Sequence, residues 1–267
     1  MKIKLYIVTY NNNRILNEWA LDSLYNSNFD KDKVQIFIIN NHSNIEIDTK
    51  FKDFVSILNN ELRPDFSTGH LSRNWNQAII NGFKDLNNPD CDLVIACQND
   101  TIFKKEWYQE VCKIVDKYKY VCIGTGDQLQ IFTPQSIKVI GLYDERFCNI
   151  GYQEADYFFR ALNYFNEYSA INDFPHGRTL NPLKEINIIE NTEPGSIRGC
   201  DFHRSSSEYH KISSNVFKLK WGDISTDHWN SELFSKYKSP NINSFFYYPY
   251  FEKNIEEESK IIQKFIT

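Results

Sequence analysis

The chain has 267 residues, 41% hydrophobic and 15% aromatic, which is enough apolar surface for a folded core and too much for a disordered chain. A formal net charge of -5, with no stretch that gathers lysine and arginine on one face, argues against a dedicated nucleic-acid binder. No run approaches the roughly 18 apolar residues that a membrane span needs.

The first ten residues, MKIKLYIVTY, hold a short apolar run ended by Thr9, Tyr10 and the asparagines Asn11, Asn12 and Asn13. A signal peptide would continue into a longer apolar core and a small-residue cleavage site, so residues 3–8 read as a first strand. Ile15, Leu16, Trp19, Ala20 and Leu24 then fall at helical spacing. Residues 34–39 (VQIFII) read as a second buried strand ending in Asn40, Asn41, His42 and Ser43, and residues 54–58 as a weaker third. After Gly69, the positions Leu71, Trp75, Ala78, Ile79, Phe83 and Leu86 trace one helical face. Residues 93–97 (LVIAC) are a fourth strand that breaks into Gln98, Asn99, Asp100 and Thr101, and Val111, Ile114, Val115 and Tyr118 mark the helix after it.

Strands alternating with helices predict an α/β fold, a mostly parallel central sheet with helices on both faces. Right-handed crossovers bring the polar strand ends to one edge. An acid at the carboxyl end of a buried strand lies where open α/β sheets bind ligands, which singles out Asp100. The competing reading is a plain turn, since Asn and Asp side chains close onto their own backbone. GxGxxG and GxxxxGK[ST] are both absent, which counts against dehydrogenases and P-loop enzymes.

The second half changes character. Residues 120–124 and 129–132 read as strands, residues 141–147 (GLYDERF) as a loop. Gln153, Glu154, Ala155 and Asp156 open a helix continued by Tyr157, Ala161, Leu162 and Phe165. Acids in a first helical turn are favoured by the macrodipole, so Glu154 and Asp156 read either as capping acids or as site residues. Two positions apart they stand roughly 200° around the helix and cannot both face one site. Residues 172–182 and 191–215 read as long loops of the kind that serve as lids or binding segments. The aromatic run 245–251 (FFYYPYF) suits core packing or an oligomer contact better than a membrane patch.

The six cysteines are scattered with no CxxC pair, which suits reduced core residues and the cytoplasm. Two glycosylation sequons, Asn41-His42-Ser43 and Asn99-Asp100-Thr101, fall on strand ends assigned to function, where a glycan would obstruct the site.

The ordered series IVTYN, IINNHSN, RNWNQAI, QNDT, GLYDERF and QEAD with its following Arg160 resembles family 2 glycosyltransferases of the GT-A fold over roughly residues 3–222. The resemblance implies a domain over 1–225, with a nucleotide-sugar half (1–126) and an acceptor half (127–225), and an aromatic-rich extension (226–267) packed on it. QNDT is similar to the NNDT version of the DXD motif, so Asp100 would hold Mn²⁺ or Mg²⁺ on the donor diphosphate. Thr9, Tyr10 and Asn11 would wall the nucleotide, and Asn40 and Asn41 stand where an acid pair usually meets base or ribose. Gly69, Arg73, Asn76, Gln98 and Asn99 complete the expected donor site, with Arg73 reaching the diphosphate and Gln98 a ribose hydroxyl. Glu154 falls on the general base and Asp156 on the next acid of that catalytic stretch, which is expected to serve structurally. His203, with His210 behind it, matches the histidine that joins the metal.

The implied reaction moves a sugar, with inversion, from a UDP-, dTDP- or GDP-linked donor to a glycan, lipid-linked or protein-linked acceptor. The implied setting is the cytoplasm, free or at the periphery of a membrane. Two other readings compete: a noncatalytic nucleotide-sugar binder, suggested by Gln98 and Gln153 in place of acids, and a sugar-nucleotide nucleotidylyltransferase, disfavoured by the absence of a Gly-rich loop after the first strand.

Overall fold

The structure is a computed structural model that describes residues 1–41, 43–60, 71–124, 127–147, 152–164, 169–173, 178–179, 187–190, 211 and 213–218. Eight strands form one sheet: β1 (Ile3–Thr9), β2 (Val34–Asn41), β3 (Ser56–Asn60), β4 (Leu93–Gln98), β5 (Tyr120–Ile123), β6 (Leu129–Phe132), β7 (Ser169–Asp173) and β8 (Arg178–Thr179). Their order is β3-β2-β1-β4-β6-β5-β7-β8. The pairs β1 with β2, β1 with β4, β2 with β3 and β5 with β7 are parallel, and β6 runs against both neighbours. The sheet is therefore mostly parallel, as the strand and helix alternation predicts.

Side-chain alternation builds a core on each face. Ile3, Leu5 and Ile7 of β1 and Leu93, Ile95 and Cys97 of β4 pack with Leu16, Ala20, Leu24, Trp107 and Val111. Leu16 and Ala20 come from a π-helical stretch (Leu16–Leu21) that follows α1 (Asn13–Ile15), Leu24 from α2 (Asp22–Tyr25), and Trp107 and Val111 from α4 (Trp107–Ile114). Tyr6, Val8, Val94 and Ala96 point the other way, against Trp75, Ala78, Ile79 and Phe83 of α3 (Leu71–Phe83), Ile137 and Ile140 of α5 (Pro134–Ile140) and Tyr157 and Ala161 of α6 (Tyr152–Tyr164).

Five local expectations are corrected. Trp19 is only partly buried while Asn17 is buried, because the π-helical stretch turns Asn17 inward, where its Nδ2 donates to Asn13 and Glu46 carbonyls and its Oδ1 accepts from the Asp48 amide. The third strand lies at Ser56–Asn60 rather than at 54–58. Helix α3 ends at Phe83, with Lys84 at φ 59 closing it, so Leu86 lies beyond the helix. Part of the expected loop 172–182 is strand: β7 extends the sheet beside β5, and β8 pairs back on β7. Helix α5 was not expected; a Thr133 and Ser136 capping box with Pro134 in the first turn starts it, a signal that the sequence does carry.

The described cysteines Cys91, Cys97, Cys112 and Cys122 are free thiols, the first two and the last buried. Among the described residues no helix is long and apolar enough to cross a membrane.

Candidate functional site

Register sets the site. Thr9 of β1 pairs with Asn40 of β2, which pairs with Asn59 of β3, and Val8 pairs with Gln98 of β4. The carboxyl ends of four parallel strands thus reach one line and end in amides and hydroxyls. Alternation then divides these polar ends between the two faces of the sheet.

On the face of α1 and α2, Asn99 donates from Nδ2 to Thr9 Oγ1 at 3.0 Å. Asn40 donates to Asn59 Oδ1 at 3.0 Å and to the Ser43 carbonyl at 2.8 Å, while Ser43 Oγ donates back at 2.6 Å. Tyr10 is partly buried and Asn11 exposed. Asn11 turns the chain at φ 47, a conformation asparagine tolerates better than most residues.

On the face of α3 and α6, Asn60 donates to Asn41 Oδ1 at 3.0 Å, and pairs reciprocally with Gln77 of α3 at 2.8 and 2.9 Å. Acids at both 40 and 59, directly opposite in register, would repel. The amides pair instead without charge.

Deeper on the same face lies Asp127, a residue the sequence reading did not single out. It is wholly buried. Its Oδ2 accepts from Trp75 Nε1 at 2.6 Å and its Oδ1 from Gln98 Nε2 at 3.0 Å, and the side chain of Gln153 also hydrogen-bonds to it. Burial pushes its carboxyl up to about 6, while these donors pull the other way. Gln153 Nε2 also donates to Glu154 Oε2 at 3.3 Å. A continuous relay therefore joins the end of β4 to the first turn of α6, braced by α3 through Trp75.

Asp100 follows two residues after Gln98 and is wholly buried. Its carbonyl accepts from Gln128 Nε2 at 3.3 Å, and Thr101 Oγ1 donates to the Gln128 carbonyl at 3.3 Å, so the QNDT turn is laced to the segment before β6. The loop 141–147 is fastened by α3. Asn76 donates to the Tyr143 carbonyl and to Glu145 Oε1, both at 2.9 Å, and accepts from the Tyr143 amide at 2.7 Å. Both of its N–H groups are thus spent inside the protein, where the expectation was a donor contact. Arg73 donates from Nε to Glu145 Oε2 at 3.1 Å and its side chain stays 40% exposed.

Searches with the sequence match no protein-family model and no curated protein. Among solved structures, S. aureus TarS 1-349 in complex with UDP-GlcNAc aligns with a TM-score of 0.51 at 11% identity, covering 89% of this chain and 71% of that one. The fold is GT-A. A longer S. aureus TarS chain aligns at TM-score 0.46 and 12% identity, over 82% of this chain, which spans 44% of that chain's length. The mannosyltransferase PcManGT from Pyrobaculum calidifontis, in complex with GDP-Man and Mn²⁺, aligns at TM-score 0.42 and 13% identity over 65% of this chain and 55% of its own.

Within this GT-A sheet, Glu154 is buried in the first turn of α6. Asp156 turns away from it, as the helical angle requires, and receives Arg160 Nε at 3.1 Å with both side chains fully buried. Arg160 also donates to the Ile140 carbonyl at 2.8 Å and lies over the Tyr157 ring, so this acid ties α6 to α5. Gly69, His203 and His210, the lid assigned to 191–210 and the extension 226–267 lie outside the described residues. Among the described residues no group of three or more His, Cys, Asp or Glu side chains could hold a metal ion. Among the described residues the strand end supplies one hard carboxylate, Asp100. That suits a cation of the Mg²⁺ or Mn²⁺ kind, which takes its other oxygens from phosphates and water.

Proposed function

We propose that the chain is a glycosyltransferase that moves a sugar from a nucleoside diphosphate donor to an acceptor hydroxyl, with Glu154 as general base and Asp100 as the carboxylate that holds a divalent cation. The observation that carries this reading is the relay Gln98–Asp127–Gln153–Glu154. It ties the turn bearing Asp100 to the helix start bearing Glu154 at the carboxyl edge of a GT-A sheet, the edge where open α/β sheets take ligands.

The chemistry divides among the chain's own residues. The strand-end amides and hydroxyls of β1 to β4 offer neutral hydrogen bonds to base and ribose. Mn²⁺ or Mg²⁺, when bound, would neutralise charge on the departing diphosphate. Glu154 takes the proton from the acceptor hydroxyl as its oxygen bonds to the anomeric carbon and the bond from that carbon to the phosphate oxygen breaks, a contribution of about 10² to 10⁴ in rate. Attack from the face opposite the nucleotide inverts the anomeric centre. His203 completes the proposed metal set.

A thermal-shift screen with UDP, GDP, dTDP and their sugar conjugates in Mn²⁺ tests the reading, since a ligand bound to the native state raises the melting temperature. At least one nucleotide is expected to do so, the shift to vanish in Asp100→Asn, and Glu154→Gln to keep it while losing about two orders of magnitude in transfer or donor hydrolysis. No shift with any nucleotide sinks the reading. Binding without turnover in the wild-type chain favours the noncatalytic binder.

A further inference from the structure

We infer that Asp127 is a positioning residue that fixes the Gln153 side chain as a hydrogen-bond acceptor for a hydroxyl of the sugar being transferred, an inference that rests on the glycosyltransferase reading above. An ionised carboxylate can only accept hydrogen bonds. Whatever amide meets it must present its N–H end, which turns the carbonyl end elsewhere. Asp127 holds Trp75, Gln98 and Gln153 in this way.

With its carboxyl at about 6, Asp127 is ionised at neutral pH. Gln153 is 1% exposed, and its Nε2 is committed to Asp127 and to Glu154 Oε2. Its other end, Oε1, is buried and has no hydrogen-bond partner among the described residues. A buried acceptor left unsatisfied is costly and rare, and a ligand hydroxyl that donates into it removes the cost.

Two placements favour the donor sugar as the source of that hydroxyl. Gln153 immediately precedes the proposed base, beside the reacting bond. It also hangs from Asp127, which is tied to Gln98 on the strand that ends in Asp100, the diphosphate side of the site. A site built to hydrogen-bond a substrate hydroxyl discriminates strongly against a ligand without it, so Gln153 sets sugar specificity and Asp127 acts through it.

Calorimetry on the full chain in Mn²⁺, with UDP against UDP-GlcNAc and GDP against GDP-mannose, tests the inference. Gln153→Met keeps the size and removes the acceptor. It is expected to leave affinity for the nucleoside diphosphate within about twofold and to weaken the matching nucleotide sugar about tenfold. Asp127→Asn, which can present N–H groups and let the glutamine turn over, is expected to lower the same affinity ratio. The double variant should be no worse than Gln153→Met alone, because the two residues act as a unit.

An unchanged ratio in Gln153→Met overturns the inference, as do losses that multiply in the double variant. If Asp127→Asn does not fold, as circular dichroism would show, the ratio in Gln153→Met decides alone. A wild-type chain that binds none of the four probes overturns the glycosyltransferase reading and this inference with it, a result distinct from binding that ignores Gln153.

Discussion

Asp127 gathers Trp75, Gln98 and Gln153 from three elements around one buried carboxylate, an arrangement that local sequence signals do not reveal. It follows Gly124-Thr125-Gly126 in a short connection, with no periodicity or motif around it, and its meaning comes from Trp75, 52 positions earlier. The positions of Asp100 and Glu154 can be read from the sequence because each sits at an element boundary, an acid after an apolar run and an acid opening a helix. Those of Asn59 and Asn60 cannot, since placing the third strand two residues early leaves them outside it. The raised carboxyl of Asp127 also gives a test by pH. Its value rises from 3.8 to about 6 on folding, so between those values the folded chain binds more protons than the unfolded one. Asp127 therefore adds stability as pH falls from about 7 to about 4 and loses it as pH rises through about 6, by on the order of 2–3 kcal/mol across the range. Asp127→Asn removes that dependence. Melting both proteins across this range should show the wild-type advantage growing toward acid, and a difference flat with pH contradicts the assignment.

At the level of elements, α3 is the part that most others lean on. One side packs Trp75, Ala78, Ile79 and Phe83 into the core, and its polar residues Gln77, Asn76 and Arg73 hold β3 and the loop 141–147. The apolar spacing of this helix was plain in the sequence, as were β1, β2 and β4, because buried strands and amphipathic helices follow fixed periods. Strands β7 and β8 were not, since nothing local distinguishes a short sheet-edge strand from a polar loop. Gly82 marks the closest approach of α3 to the sheet: a Cβ there would stand 2.2 Å from Val94 Cγ2. Alanine is the better helix former by about 1 kcal/mol, yet the branched Val94 on a central strand has little room to turn. Gly82→Ala is expected to destabilise by about 1–2 kcal/mol net, read by urea denaturation, and Val94→Ala in that background should recover part of it. A neutral or stabilising Gly82→Ala would mean that α3 can lift off the sheet.

For the whole molecule, the sheet runs unbroken past residue 126, where the sequence resemblance implied a division between two halves, because β6 sits between β4 and β5 and pairs with both. Asp127 also lies just beyond residue 126. A fragment ending at 126 keeps β4 and β5 but lacks the strand that joins them. It is expected to self-associate instead of forming a folded monomer, because unpaired strand edges template pairing between chains; size-exclusion chromatography with circular dichroism distinguishes the outcomes. A monomeric, cooperatively melting fragment would show that β1 to β4 are sufficient alone. The reversed β6 also sets a schedule for synthesis. During translation β5 leaves the ribosome before the strand it must bond to, so the middle of the sheet closes late. Until β6 emerges, the edge of β4 that it will cover stays unpaired, so the stretch that ends in Asp100 is a strand edge open to pairing with other chains.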